Sequence, residues 1–226
     1  MRTDRPISFR PKGRYSTVSS MTKCHSYRII TEGVIALAFH NTVKLVPWSS
    51  DWEKRFDAER KRIRAAFSAA NLPEASILHV GSTSIRGMLS KPIIDVLVIV
   101  PDNCDLIDYE IALADAGYAS LGECGRKDRI FLVRGDTPEE AFYAHLTYAD
   151  NPVAQEQLLF QRIEREEPQI AALYAVEKAR LADQYHDDRA AYRENKGPFI
   201  QAVLSAYRLG MRQALQSTST DNERRN

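Results

Sequence analysis

Cysteine is scarce: Cys24, Cys104 and Cys124 are the three in a chain of 226 residues, with no Cys-x-x-Cys pair among them. An odd, scattered set excludes a disulfide scaffold and a zinc ribbon, and it fits a reducing, cytoplasmic setting. Long apolar runs are missing as well. The run 34–39 is about a third of a bilayer span and lies too deep for a secretory signal, so neither membrane insertion nor secretion is expected. No excess of one charge exists either, with 31 Lys+Arg against 30 Asp+Glu. Without a basic surplus interleaved with aromatics, strong nonspecific nucleic-acid binding is not indicated, while a small RNA or a free nucleotide stays compatible. The nucleotide-binding glycine signatures are absent too. Gly81 and Gly87 are followed by no Gly-Lys-Ser/Thr, and Gly122 with Gly125 cannot supply Gly-x-Gly-x-x-Gly.

What is present describes a globule. Hydrophobic residues make up 44% and charged residues 27%, enough for a core that needs no staples. Residues 1–40 stand apart: Arg2, Arg5, Arg10, Lys12, Arg14, Lys23 and Arg28 face only Asp4 and Glu32, with no periodicity before Val34. They read as a disordered basic extension, either a tail ahead of a start at Met21 or a segment of transit-peptide composition. From there the patterning divides the chain into a sheet-forming part, 41–150, and a helical part, 151–213, followed by a polar tail over 214–226 expected to fray. An amphipathic helix is predicted from Asp51 to about Ala70, with Trp52, Phe56, Ile63 and Phe67 as its buried stripe. A short strand over 75–80 follows the break at Asn71-Leu72-Pro73. Ile93-Ile94-Asp95-Val96-Leu97-Val98-Ile99-Val100 is apolar on both faces apart from Asp95, which predicts a central strand covered on both sides. A helix over 105–116 precedes two strands, 129–134 and 141–148, joined as a hairpin by Gly135-Asp136-Thr137-Pro138. Three helices then fill 153–166, a stretch beginning at Pro168, and 189–209. The fold class is α+β.

Chemistry concentrates in two places. His79-Val80-Gly81-Ser82-Thr83-Ser84 runs from a strand end into glycine and hydroxyl residues, an arrangement that can present Gly81, Ser82, Thr83 and Ser84 to a phosphate, with Lys91 adding charge. Taken alone, such a turn is more often a simple cap. Asp95 changes the balance, because a carboxylate inside an apolar central strand is costly unless a cation, a base or several donors meet it. His145 falls on a neighbouring apolar strand, where it is either a satisfied core histidine or a partner of Asp95. His79 is expected only to pack or cap.

Several blocks together resemble the GrpB family. They are Val46-Pro47-Trp48 with Asp51-Trp52, the His79 to Ile85 segment, Lys91-Pro92-Ile93-Ile94-Asp95-Val96, Arg129-Ile130-Phe131, His145-Leu146, and Arg189, Tyr192 and Lys196-Gly197-Pro198-Phe199-Ile200. The resemblance spans about 43–207. It implies a small mixed β-sheet of the polymerase-β nucleotidyltransferase type with flanking helices. In that type a Gly-Ser turn holds a nucleoside triphosphate and a strand-borne Asp-x-Asp holds divalent metal. By that implication Gly81 and Ser82 meet phosphate, Asp95 meets Mg²⁺ or Mn²⁺, and Lys91, Arg129, Arg189, Tyr192 and Lys196 line the nucleotide.

Two positions depart from the pattern. The residue two after Asp95, on the same strand face, is Leu97, which cannot coordinate a metal. On the neighbouring strand Thr147 stands where the family often has a second histidine. Glu123, in the loop before the hairpin, is then the best remaining carboxylate, and Asp95, Glu123 and His145 form the candidate catalytic set, with Asp95 and Glu123 as metal ligands. The expected function is metal-dependent nucleotidyl transfer to an unknown acceptor. The alternative is a non-catalytic module that binds a nucleotide or another phosphate ligand, which Leu97 favours.

Overall fold

A computed structural model describes residues 41–223, with side chains described through residue 210. The extension expected over 1–40 lies outside the described residues. The elements run α1 (Asp51–Ala69), β1 (Ser76–Val80), a 3₁₀ turn (Ser82–Ser84), β2 (Ile94–Val100), α2 (Leu106–Asp115), β3 (Ala119–Ser120), β4 (Arg129–Arg134), β5 (Phe142–Tyr148), α3 (Pro152–Glu166), α4 (Pro168–Gln184) and α5 (Arg189–Glu223). The α+β class therefore stands. The tail expected to fray from 214 instead continues α5 to Glu223.

Five strands form one mixed sheet in the order β1-β2-β5-β4-β3. β2 pairs antiparallel with β1 and parallel with β5, while β4 and β5 form the expected antiparallel hairpin. β3, two residues long, is too short to show any alternation in sequence; it pairs with β4 through Ala119 and Ser120.

Alternation along β2 separates the two faces. Ile94, Val96, Val98 and Val100 enter the main core with Trp52, Phe56, Ile63 and Phe67 of α1 and Leu106, Tyr109 and Leu113 of α2. Helix α1 forms there because its apolar residues recur at helical spacing. Its stripe also contains Glu59, a buried carboxylate that accepts from the Tyr118 hydroxyl at 2.8 Å and is ion-paired with Arg134. On the opposite face Leu97 is fully buried with Val80 against Ala154 of α3, and Ile99 and Leu158 pack beside them. The helices α3, α4 and α5 make their own core from Phe160, Ile163, Tyr174 and Leu204, joined by Ile85 and Met88 after the 3₁₀ turn. The helical part thus covers one end of this second face, beside which the Asp95 side chain remains 32% exposed.

Candidate functional site

Asp95 and Tyr143 are register partners, as are Leu97 and His145, and Phe131 pairs with His145 from β4. Side chains in these positions share one face of the sheet. The arrangement brings His145 Nε2 to 3.7 Å from Asp95 Oδ1. Burial pushes the Asp95 carboxyl up, but the His145 contact and the charges of Lys91 and Lys196 outweigh it and hold the group below the ordinary aspartate value. The other His145 nitrogen, Nδ1, is sealed from solvent without a hydrogen-bond partner.

Gly81 makes the approach of Asp95 to the turn feasible. It has φ +70° and ψ −178°, and a Cβ there would overlap Asp95 Oδ2. The hydroxyls that follow do not point to a ligand, which corrects the expectation for two of them. Thr83 is 1% exposed and its Oγ1 lies 3.0 Å from His79 Nε2, while Ser84 Oγ donates to Gly81 O at 2.6 Å. Gln161 of α3 donates both to His79 O and to Ser84 Oγ at 2.6 Å, so the turn is fastened to the helical part. Ser82 lies against the Tyr174 hydroxyl. His79 stacks on Phe56 at 4.8 Å between centroids, and burial lowers its pKa to about 4. A neutral packing residue is what that environment produces.

The cations converge more than the carboxylates do. Burial and the charges of Arg189 and Lys196 lower the Lys91 pKa to about 7, Asp95 opposes the shift, and Arg193 adds to it. Lys91 and Lys196 each place Nζ 5.9 Å from the centroid of the Tyr192 ring. Tyr192 itself is 2% exposed and packs with Val43 and Leu181, so it supports the two lysines and, contrary to expectation, is not free to stack on a ligand ring. Arg189 donates to the Tyr143 hydroxyl at 2.7 Å and lies 5.4 Å over that ring. Lys91 and Lys196 therefore flank the Asp95 carboxylate, with Arg189 and Arg193 crowding Lys91. Behind them lie a buried Glu164 and Lys178, which sequence reasoning missed. Lys178 donates to Leu89 O at 2.5 Å, Glu164 Oε1 has no hydrogen bond, and burial moves both groups toward their neutral forms. A charged residue at an apolar-stripe position was the available signal.

The metal set is not assembled, which corrects the role given to Glu123. Its carboxylate accepts from the Asp128 backbone N–H at 2.8 Å within its own loop. No group of three His, Cys, Asp or Glu side chains able to hold a metal occurs among the described residues. Leu97 is covered by α3 as well as apolar, so the second carboxylate position has no access to the site. A single carboxylate with Lys91 and Lys196 beside it does not fit Mg²⁺ or Mn²⁺. Thr147 anchors the loop before β4, its Oγ1 donating to Asp128 O at 2.7 Å. Arg129 stands at the far end of β4 from Asp95, in register with Thr147, and of the cations around Lys91 it is Arg193 that also acts on it.

No helix among the described residues is long and apolar enough to cross a membrane. The family model described as GrpB protein matches residues 42–206. The UPF0157 protein YqkA of Bacillus subtilis is 31% identical over 177 residues, which cover 76% of this chain and 50% of that protein. The UPF0157 protein PA4798 of Pseudomonas aeruginosa is 35% identical over 164 residues, 72% of this chain and 66% of that protein. The match thus spans half to two thirds of these relatives' length. The crystal structure of the conserved protein GrpB from Enterococcus faecalis is similar in fold, with a TM-score of 0.57 at 24% identity over 71% of this chain and 99% of that one.

Proposed function

The chain belongs to the GrpB family, and from that premise we propose that it is a binding module for a nucleotide or a related phosphate ligand, built on a nucleotidyltransferase-like site that does not assemble its metal centre. The observation that carries this reading is the convergence of Lys91 and Lys196 on the Tyr192 ring, with Arg189 on Tyr143, the register partner of Asp95. Like charges held together destabilise the free protein and favour an anion that neutralises them. Lys91, Arg189 and Lys196 hold the phosphate. Asp95 and His145, beside it, accept and donate hydrogen bonds to the rest of the ligand. Metal-dependent nucleotidyl transfer is the other function the resemblance implies, and it lacks both the second carboxylate and the charge balance for a divalent ion.

The test is thermal stabilisation by pyrophosphate and by nucleoside di- and triphosphates, with and without Mg²⁺, because a ligand of the native state at 100 times its Kd adds about 2.7 kcal/mol. Stabilisation without Mg²⁺ is expected, stronger at pH 6 than at pH 8.5, since an anion binds the protonated Lys91 and the group loses its proton above about pH 7. Lys91→Met is expected to abolish most of the stabilisation and its pH dependence. The ligand-free proteins should behave in the opposite sense. A folded pKa below the unfolded one means that the charged lysine costs stability in full below pH 7 and that the cost is relieved as pH climbs toward 10.5. Lys91→Met should therefore melt higher than the wild type at pH 6, by a margin that shrinks above pH 7. A shift that requires Mg²⁺ and disappears in Asp95→Asn would replace this reading with metal-dependent transfer, and the absence of any shift would overturn both.

A further inference from the structure

Arg129 is an anomalous charge among the described residues. The residue is 7% exposed, yet among the described residues its guanidinium has neither a hydrogen bond nor an ion pair, and its Nε is sealed without a partner. The contact it makes is with the face of Phe131, 5.2 Å from Cζ to the ring centroid. A guanidinium whose Nε is sealed without an acceptor is costly to a folded chain, and an anion at its terminal nitrogens would offset that cost. The nearby carboxylate, Glu123, is occupied by the Asp128 backbone N–H. Burial draws the Arg129 pKa below the usual arginine value; Cys124 opposes it most, and the charges of Arg126 and Arg193 add to the lowering.

The position is also rigid. Thr147 Oγ1 and Asn151 Nδ2 donate to Asp128 O at 2.7 and 3.1 Å, and Asn151 Nδ2 reaches Lys127 O at 3.0 Å, which pins the backbone immediately before Arg129. The His145 ring also lies beside Phe131, 5.3 Å away between centroids, with its own sealed Nδ1. Arg129, Phe131 and His145 thus form a row across β4 and β5 that leads back to Asp95. A guanidinium resting against a ring presents a planar fork suited to an oxyanion.

We propose that Arg129, with Arg126 and Arg193 beside it, is a second oxyanion subsite, so that the protein takes a ligand bearing two phosphate-type groups, one at Lys91 and one at Arg129. This rests on the reading of the lysine cluster as a phosphate site. The register places Asp95 opposite Tyr143 and Arg129 opposite Thr147. Two strand spacings across and four residues along put their Cα atoms about 16 Å apart. The ligand class is therefore an elongated bisphosphate, such as a nucleotide carrying a second phosphate at its far end.

Calorimetric titration with oligo(ethylene glycol) α,ω-bisphosphates tests this directly, because their charge is constant and only the spacer length varies. The wild type is expected to show one preferred length that binds at least about tenfold tighter than the shortest member, since the second group engages at a high effective concentration. Arg129→Gln should flatten the series, and Arg129→Lys, with the charge but not the fork, should fall between. A flat series in the wild type, or a preferred length that survives Arg129→Gln, would overturn the second subsite while pyrophosphate binding persists. Failure of pyrophosphate itself to bind the wild type would instead remove the lysine site, and this inference with it. The wild-type series needs no variant to fold.

Discussion

Gly81→Ala is expected to cost about 4 kcal/mol and to lower Tm by about 12 °C in a domain of this size. Two effects combine. At φ +70° and ψ −178° the backbone occupies a region essentially reserved for glycine, and the added methyl would overlap Asp95 Oδ2. Asp95 would have to leave its place beside His145, so the variant should also lose ligand-induced stabilisation. The two contributions separate in a double-mutant cycle with Asp95→Ala, which removes the overlap but leaves the backbone penalty. A Gly81→Ala loss that is unchanged in the Asp95→Ala background would show that the carboxylate does not press on the turn. A total cost below about 1 kcal/mol would show that the turn has another conformation to adopt.

Glu59→Ala should be comparably severe, at about 3–5 kcal/mol, and should leave the site around Asp95 untouched. Glu59 is 2% exposed and receives the Tyr118 hydroxyl at 2.8 Å, Arg134 Nε at 3.0 Å and a second Arg134 nitrogen. The Arg134 guanidinium lies 4.7 Å from the centroid of the Phe142 ring, and its side chain is 24% exposed. Deleting the carboxylate strands that cation and the Tyr118 hydroxyl together, which is why the loss exceeds that of a surface pair. Glu59→Gln keeps one acceptor and should cost clearly less. Equal losses in the two variants, measured by denaturant unfolding, would mean that the site packs by volume and the charge is irrelevant.

The two glutamates, Glu59 and Glu123, illustrate what could be read in the sequence. The helical stripe 52, 56, 63, 67 and the uninterrupted apolar run around Asp95 specify α1 and β2 because periodicity reports burial directly. The β4–β5 hairpin is legible from its Gly-Asp-Thr-Pro turn. Glu59 sits at a stripe position between Phe56 and Ile63, and a charge in that register was a signal of a buried partner that only the tertiary structure could name. Glu123 shows the reverse. Its residue type suited a metal, but its loop closes on its own backbone, and no spacing in the sequence encodes where a loop carboxylate turns. The pairing of Asp95 with His145 was anticipated from strand adjacency, whereas the hydroxyls of Thr83 and Ser84 were drawn inward by His79 and Gln161, partners four and seventy-seven residues away. The convergence of Lys91 with Arg189 and Lys196 depends on how α5 docks, which no local pattern records.

Strand β2 ends at Val100 and its parallel partner β5 begins only at Phe142. During synthesis at about 5–20 residues per second, the central strand waits roughly 2–8 s with one edge unpaired. Its sequence, Ile93 to Val100, has the β-propensity and hydrophobicity of a segment that joins its own copies edge to edge, and Asp95 is the single charge within it. The carboxylate that organises the site in the finished protein therefore also guards the nascent chain against self-association, and Asp95→Asn should lower soluble yield even where the purified variant melts like the wild type.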